Sequence, residues 1–191
     1  MESTIFSTFK RTADTRFSTN YKKVCLKIFA SSTDSTTVQI EENCGFVVNE
    51  NISWTGFSPD VIIKCPRGRC LLETKCLKIG KKLTGLEFCR KAPCLNVYLD
   101  GTVTLKKKYK FYGQIQLGLA VCNLQRAKLL LYVPQDRSCV VVDVDRDDDF
   151  IDIFLRKLLH VYIDYFLPYR VTNSHRDSVA TLFTLIEKHV I

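Results

Sequence analysis

Apolar positions along the chain change period several times, and each change marks an element. Residues 38–40, 44–48 and 61–65 are short apolar runs of strand type. Pro66-Arg67-Gly68-Arg69 reads as a turn, and residues 70–77 as the returning strand of a hairpin. Further on, Tyr112, Ile115, Leu119 and Cys122 recur at three- and four-residue steps, which predicts a helix over 109–126. Residues 127–133 and 138–144 are apolar and β-branched, and Pro134-Gln135-Asp136-Arg137 joins them as a second hairpin. Between these blocks, residues 78–93 are basic and less regular, and a strand over 95–99 ends at the turn pair Asp100-Gly101.

The flanks read as helical. The segment up to Phe29 is followed by a polar loop over 30–37, rich in turn-favouring Ser, Thr and Asp. Acidic residues 145–149 precede a helix predicted over 148–166, where carboxylates suit the positive end of the backbone dipole. Pro168 is expected to stop that helix, and residues 178–191 form a last amphipathic one. The order of elements predicts an α/β (mixed α+β) fold with a central mixed sheet flanked by helices. It divides into an N-terminal helical segment (1–37), a core (38–170) and a C-terminal helix packed on that core (171–191).

Composition narrows this further. A chain of 191 residues suits one domain, and an apolar share of 46% can fill a sizeable core. The N-terminal stretch lacks a signal-type apolar core, and no stretch nears the length of a membrane span. The expectation is an intracellular, soluble protein without membrane partners, in the nucleus or cytoplasm. A net charge of +8 favours a polyanionic partner, because Lys and Arg displace counterions from phosphates. The nine cysteines include Cys65, Cys70, Cys76, Cys89 and Cys94 at roughly metal-like separations, but no C-x-x-C pair occurs. His160, His175 and His189 lie far downstream, so reduced thiols are the better reading than zinc.

The candidate chemistry sits at Asp60 and at Leu72-Glu73-Thr74-Lys75. On a strand Glu73 and Lys75 share one face and Thr74 the other. A hairpin brings Asp60 beside Glu73, and two adjacent carboxylates call for a cation between them. Asp60, Glu73 and the Thr74 carbonyl make a partial hard-oxygen shell for Mg²⁺, with Mn²⁺ as an alternative. Lys75 is then placed to orient or deprotonate a water aimed at a phosphodiester. The spacing also fits a solvated Glu-x-Lys ion pair and an ordinary Pro-Asp turn, and it does not decide between the two readings.

The surrounding residues do separate them. The run from Cys44-Gly45-Phe46-Val47-Val48 to Trp54-Thr55-Gly56-Phe57-Ser58-Pro59-Asp60, then Leu71-Leu72-Glu73-Thr74-Lys75-Cys76, resembles the YqaJ-type viral recombinases, relatives of phage lambda exonuclease. So do Phe111-Tyr112-Gly113-Gln114-Ile115-Gln116, Asp147-Asp148-Asp149-Phe150 and the closing Phe166-Leu167-Pro168, all in the family's order. The resemblance implies a restriction-endonuclease-like PD-(D/E)xK core and a Mg²⁺-dependent exonuclease that degrades duplex DNA from an end. It also implies a role in recombination, a single-strand annealing protein as partner and a ring-shaped homotrimer. Gln114 matches a glutamine at the family's active site; Tyr112 falls on the apolar stripe and is expected in the core.

The chain departs from the family upstream. The helix that carries a metal-binding glutamate there is matched by the stretch around Tyr21, with Tyr21 or a neighbouring lysine at the glutamate position. Lys22 and Lys23, if near, repel a cation, and Arg11 and Arg16 are poor substitutes for the family's phosphate-binding arginine. Val61 stands where a glycine is usual. Two basic clusters flank the site in sequence: Lys78, Lys81, Lys82, Arg90 and Lys91, then Lys106, Lys107, Lys108 and Lys110. Together they favour contacts to DNA phosphates. A catalytically weakened or inactive DNA-binding remnant is the alternative function, and a restriction-like endonuclease on the same core is a third.

Overall fold

A computed structural model describes residues 13–32, 39–41, 45–65 and 68–172. Pro66, Arg67, the first twelve residues and the helix expected over 178–191 lie outside the described residues. Residues Ala13–Asp147 form one compact unit, and the described residues 148–172 belong to a second.

The first unit is built on a five-stranded mixed sheet. Its members are β1 (Gln39–Glu41), β4 (Val61–Cys65), β5 (Gly68–Cys76), β8 (Arg126–Val133) and β9 (Ser138–Asp145), in the order β1-β4-β5-β8-β9. All neighbours are antiparallel except β5 and β8, which run parallel with Glu73 opposite Leu129. Both hairpins expected from the sequence are present. The parallel pair needs a long crossover, and residues 78–125 supply it. This crossover carries α2 (Gly85–Lys91), a small hairpin of β6 (Leu95–Val97) with β7 (Val103–Leu105), and α3 (Lys110–Val121).

Central strands are covered on both faces, so β5 is buried without a break from Cys70 to Thr74 and β8 from Leu129 to Val133. On one face α1 (Ala13–Ser32) sets Cys25 and Phe29 against Val61, Ile63, Cys70, Leu72, Leu130 and Tyr132. On the other, α3 buries Ile115 and Leu119 completely. Its close approach depends on Gly118, where a Cβ would fall 2.7 Å from Leu71 Cδ2 and 2.8 Å from the Phe57 ring. Phe57 belongs to β3 (Gly56–Phe57), which pairs with β2 (Val47–Val48) as a two-stranded ribbon.

Several boundaries differ from the sequence pattern for local reasons. The helix expected over 109–126 ends at Val121, because Asn123 turns into the left-handed region (φ 50°) and the Leu124 N–H closes back on the Leu119 carbonyl at 2.9 Å. The Ala120 and Val121 carbonyls accept from Asn49 Nδ2, and the Leu119 carbonyl from Arg146. The irregular 78–93 stretch resolves into a 3₁₀ turn, Lys78–Lys81, and α2. The strand expected over 95–99 stops at Val97, where the chain turns through Gly101 (φ 85°).

In the second unit Pro168 does not stop the helix. The chain runs from α4 (Asp148–Val161) through a π turn, Tyr162–Phe166, into α5 (Leu167–Thr172). The π turn passes the Leu167 N–H to the Tyr162 carbonyl, so the ladder is already shifted there. Pro168 then occupies the first turn of a new helical segment, where a missing N–H costs little. No helix among the described residues is long and apolar enough to cross a membrane.

Candidate active site

The site forms where β4 begins and β5 ends. Val61 pairs with Leu72, so Asp60 lies just outside the ladder, level with Glu73. Its carboxylate takes the place of the next backbone acceptor: Asp60 Oδ2 receives both the Thr74 N–H and the Thr74 hydroxyl, each at 2.8 Å. In return the Asp60 N–H donates to Glu73 Oε1 at 3.2 Å. Within a strand the N–H and C=O of one residue leave the same edge, so the Thr74 carbonyl faces the Asp60 side as well. Alternation along β5 puts Glu73 and Lys75 on the α3 face and Thr74 on the α1 face.

Glu73 is 1% exposed, an extreme position for a carboxylate. Its Oε2 accepts from Lys75 Nζ at 3.3 Å and from Gln114 Nε2 at 3.2 Å. The Lys75 ammonium also stands over the Phe111 ring, 5.6 Å from its centroid, so it is held between an anion and a π face. Desolvation pushes the Glu73 carboxyl above its usual range; Lys75 opposes this, and the charge on Asp60 adds to it. Burial also acts to raise Asp60, but the Lys22 ammonium and the Thr74 N–H outweigh it and hold that carboxyl below its ordinary value.

The structure therefore brings Asp60, Glu73, Thr74, Lys75 and Gln114 into one network. The expected basic residues are spread more widely. Lys78 and Lys81 lie in the 3₁₀ turn directly after β5, followed by Lys82, and all three are exposed. Arg90 and Lys91 end α2, where Lys91 pairs with Glu87 at 2.8 Å. Lys106, Lys107 and Lys108 lead into α3, and Lys107 bonds Asp147 at 2.6 Å. Tyr112 is buried and donates to Asp147 at 2.7 Å, a packing role. Gln116, fully buried, bridges the Asp145 carbonyl and the Asp147 N–H at the end of β9.

Two participants were not singled out by spacing. Phe111 had no signal beyond its place before Tyr112. Lys22 had a conditional one, and the structure resolves it: Lys22 Nζ lies 2.6 Å from Asp60 Oδ1. Tyr21, the other candidate for the upstream position, instead stacks on Tyr132 at 5.0 Å. The register of α1 thus turns Lys22 toward the site and Tyr21 onto the core.

The donor set suits one hard divalent cation. Two carboxylates and a carbonyl converge from adjacent strands, and a cation would relieve the strain that burial and Asp60 place on ionised Glu73. No group of three or more His, Cys, Asp or Glu gathers among the described residues. The described cysteines are all free thiols.

A central mixed sheet, with a hairpin delivering a carboxylate beside a strand bearing Glu-x-Lys, is the PD-(D/E)xK-type fold expected from the sequence. Among solved structures, the chain is similar to LHK-Exo, an alkaline exonuclease from Laribacter hongkongensis. The TM-score is 0.58 at 18% identity, over 95% of this chain and 74% of that one. The LHK-Exo complex with dAMP gives 0.59 at 18% identity, over 93% and 74%. A phage-related exonuclease from Haemophilus somnus is more distant, with a TM-score of 0.47 at 16% identity over 78% and 68%. No family model and no curated protein matches the chain. At these identities the likeness is one of fold, and it agrees in kind with the motifs read from the sequence.

Proposed function

We propose that this chain is a metal-dependent exonuclease acting on duplex DNA ends. The observation that carries the reading is the convergence of Asp60, Glu73, Lys75 and Gln114 at one strand end. The fold adds support, since LHK-Exo is an alkaline exonuclease and its structure has been solved with dAMP, a DNA mononucleotide. Mg²⁺ or Mn²⁺ held by Asp60, Glu73 and the Thr74 carbonyl would polarise a phosphoryl oxygen and supply a nucleophilic water at neutral pH. The protein's own groups do the rest. Gln114 fixes the orientation of the Glu73 carboxylate through Oε2. Lys75 holds positive charge beside the same oxygen, where it can steady an attacking water or the developing phosphate charge. Lys78, Lys81, Lys82, Arg90, Lys91, Lys106, Lys107 and Lys108 serve as phosphate contacts along the duplex.

The use of Mg²⁺, the role in recombination, the homotrimer and the single-strand annealing partner rest on the sequence resemblance. One observation favours the alternative, a remnant that binds DNA without cutting it: Lys22 already neutralises Asp60. Incubation of linear and closed circular duplex with and without Mg²⁺ separates these readings. An exonuclease releases mononucleotides from the linear form only, and Glu73→Gln abolishes the release. Cutting of the closed circle indicates an endonuclease, and duplex binding without cutting at any metal concentration indicates the remnant.

A further inference from the structure

Every carboxylate oxygen of the site is already engaged. Asp60 Oδ2 is held by Thr74, Glu73 Oε1 by the Asp60 N–H, and Glu73 Oε2 by Lys75 and Gln114. The remaining oxygen, Asp60 Oδ1, carries the Lys22 ammonium at 2.6 Å. Two carboxylates thus face two ammonium groups, so the network is neutral without any ion. Lys75 belongs to the same strand as Glu73, but Lys22 arrives from α1, a separate element.

Nor is Lys22 a freely wandering surface lysine. Its helix is fixed by Cys25, fully buried one turn later, by Phe29 in the core one further turn along, and by the stacking of Tyr21 on Tyr132. Side chains three and four apart share a helix face, so this packing directs the Lys22 stem at Asp60 while Lys23 faces solvent. The ion pair is half-screened, with side-chain exposures of 35% and 22%.

We propose that Lys22 is a tethered cation that occupies Asp60 in the DNA-free protein and competes there with a divalent metal ion. This rests on the reading of Asp60 and Glu73 as metal ligands. An ion binding to Asp60 must displace the ammonium or bear its repulsion. The site then takes up metal weakly until Lys22 finds another anion, and a phosphate of bound DNA has the required charge. A unit charge a few ångströms from a divalent ion changes affinity by on the order of tenfold or more in a half-screened site.

The test uses the whole chain and Mn²⁺, whose binding is read by the loss of the free-ion electron paramagnetic resonance signal. Wild type, Lys22→Met and Lys22→Arg are titrated without DNA, and each fold is checked by circular dichroism. Lys22→Met keeps the aliphatic stem and removes the charge, and Lys22→Gln serves the same purpose if Met disturbs folding. The uncharged variant should bind Mn²⁺ at least about tenfold more tightly than wild type, and Lys22→Arg should stay weak. Adding Asp60→Asn to Lys22→Met should erase the gain. Equal affinity in wild type and Lys22→Met overturns the competition but leaves the metal reading standing. A gain that survives Asp60→Asn also overturns it, because the ion would then lie elsewhere. Failure of every form to bind Mn²⁺ removes both the proposal and the reading beneath it.

Discussion

Gly118 is where packing and chemistry meet most directly, and Gly118→Ala sets two known effects against each other. Alanine in place of a mid-helix glycine stabilises the helix by about 1 kcal/mol. The added methyl, however, would sit 2.7 Å from Leu71 Cδ2 and 2.8 Å from the Phe57 ring, whereas comfortable carbon contacts lie at about 3.5–4.0 Å. Leu71 is fully buried and Phe57 nearly so, so neither can swing out into solvent. Overpacking of this kind costs about 1–3 kcal/mol, which offsets the helical gain and leaves a net loss of about 0–2 kcal/mol. For a chain of this size that is a fall of at most roughly 8 °C in melting temperature, and no rise. Relief of the clash by lifting α3 also moves Gln114, one turn earlier on the helix, away from Glu73. The cleavage rate should therefore fall even at temperatures where the variant is fully folded. Thermal melts and single-turnover cleavage measure the two losses separately. Leu71→Val, which lacks the offending Cδ2, should reduce the cost of Gly118→Ala in a double-mutant cycle. A higher melting temperature for Gly118→Ala with an unchanged rate would refute the close approach of α3 and the coupling drawn from it.

Two further predictions concern single contacts. Gln114→Ala should slow cleavage by about 10–100-fold at saturating Mg²⁺ while leaving the circular dichroism spectrum unchanged. Lys75→Ala should cost more, about 10²–10⁴-fold, and wild-type rates in either variant would remove that residue from the site. Separately, Cys25 Sγ and Cys139 Sγ lie 2.6 Å apart, joining α1 to β9. The hydrogen bond between them, with burial, pushes the Cys25 thiol up, while the same bond draws Cys139 down. Treatment with diamide should therefore join this pair first, seen as the loss of two hydrogens by mass spectrometry, and Cys25→Ser should prevent it. Peptide mapping that finds other cysteines joined first would count against this contact.

What could be read from the sequence followed the range over which each feature is determined. The β4–β5 hairpin and the β8–β9 hairpin are local, and period-two runs around short turns identify them directly. The placement of Glu73 and Lys75 on one face follows from strand geometry alone, and the helical stripe from Tyr112 to Leu119 fixes which side of α3 is buried. Ends of elements were less legible, because they depend on partners far away in sequence. Asn49 and Arg146 close α3 at Val121, whereas the stripe by itself continues to Cys122. Pro168 reads as a stop only while the helix before it is assumed regular, and the π turn removes that assumption. Lys22 is the clearest case. Nothing around it says that it meets Asp60, thirty-eight residues away. Its direction is set by Cys25 and Phe29 seating α1 on Val61, Ile63 and Leu130, contacts that exist only once the sheet has formed. The same packing that stabilises α1 therefore decides which charge the Asp60 carboxylate meets. A change in the register of that helix would alter the chemistry of the site without touching any residue of the motif.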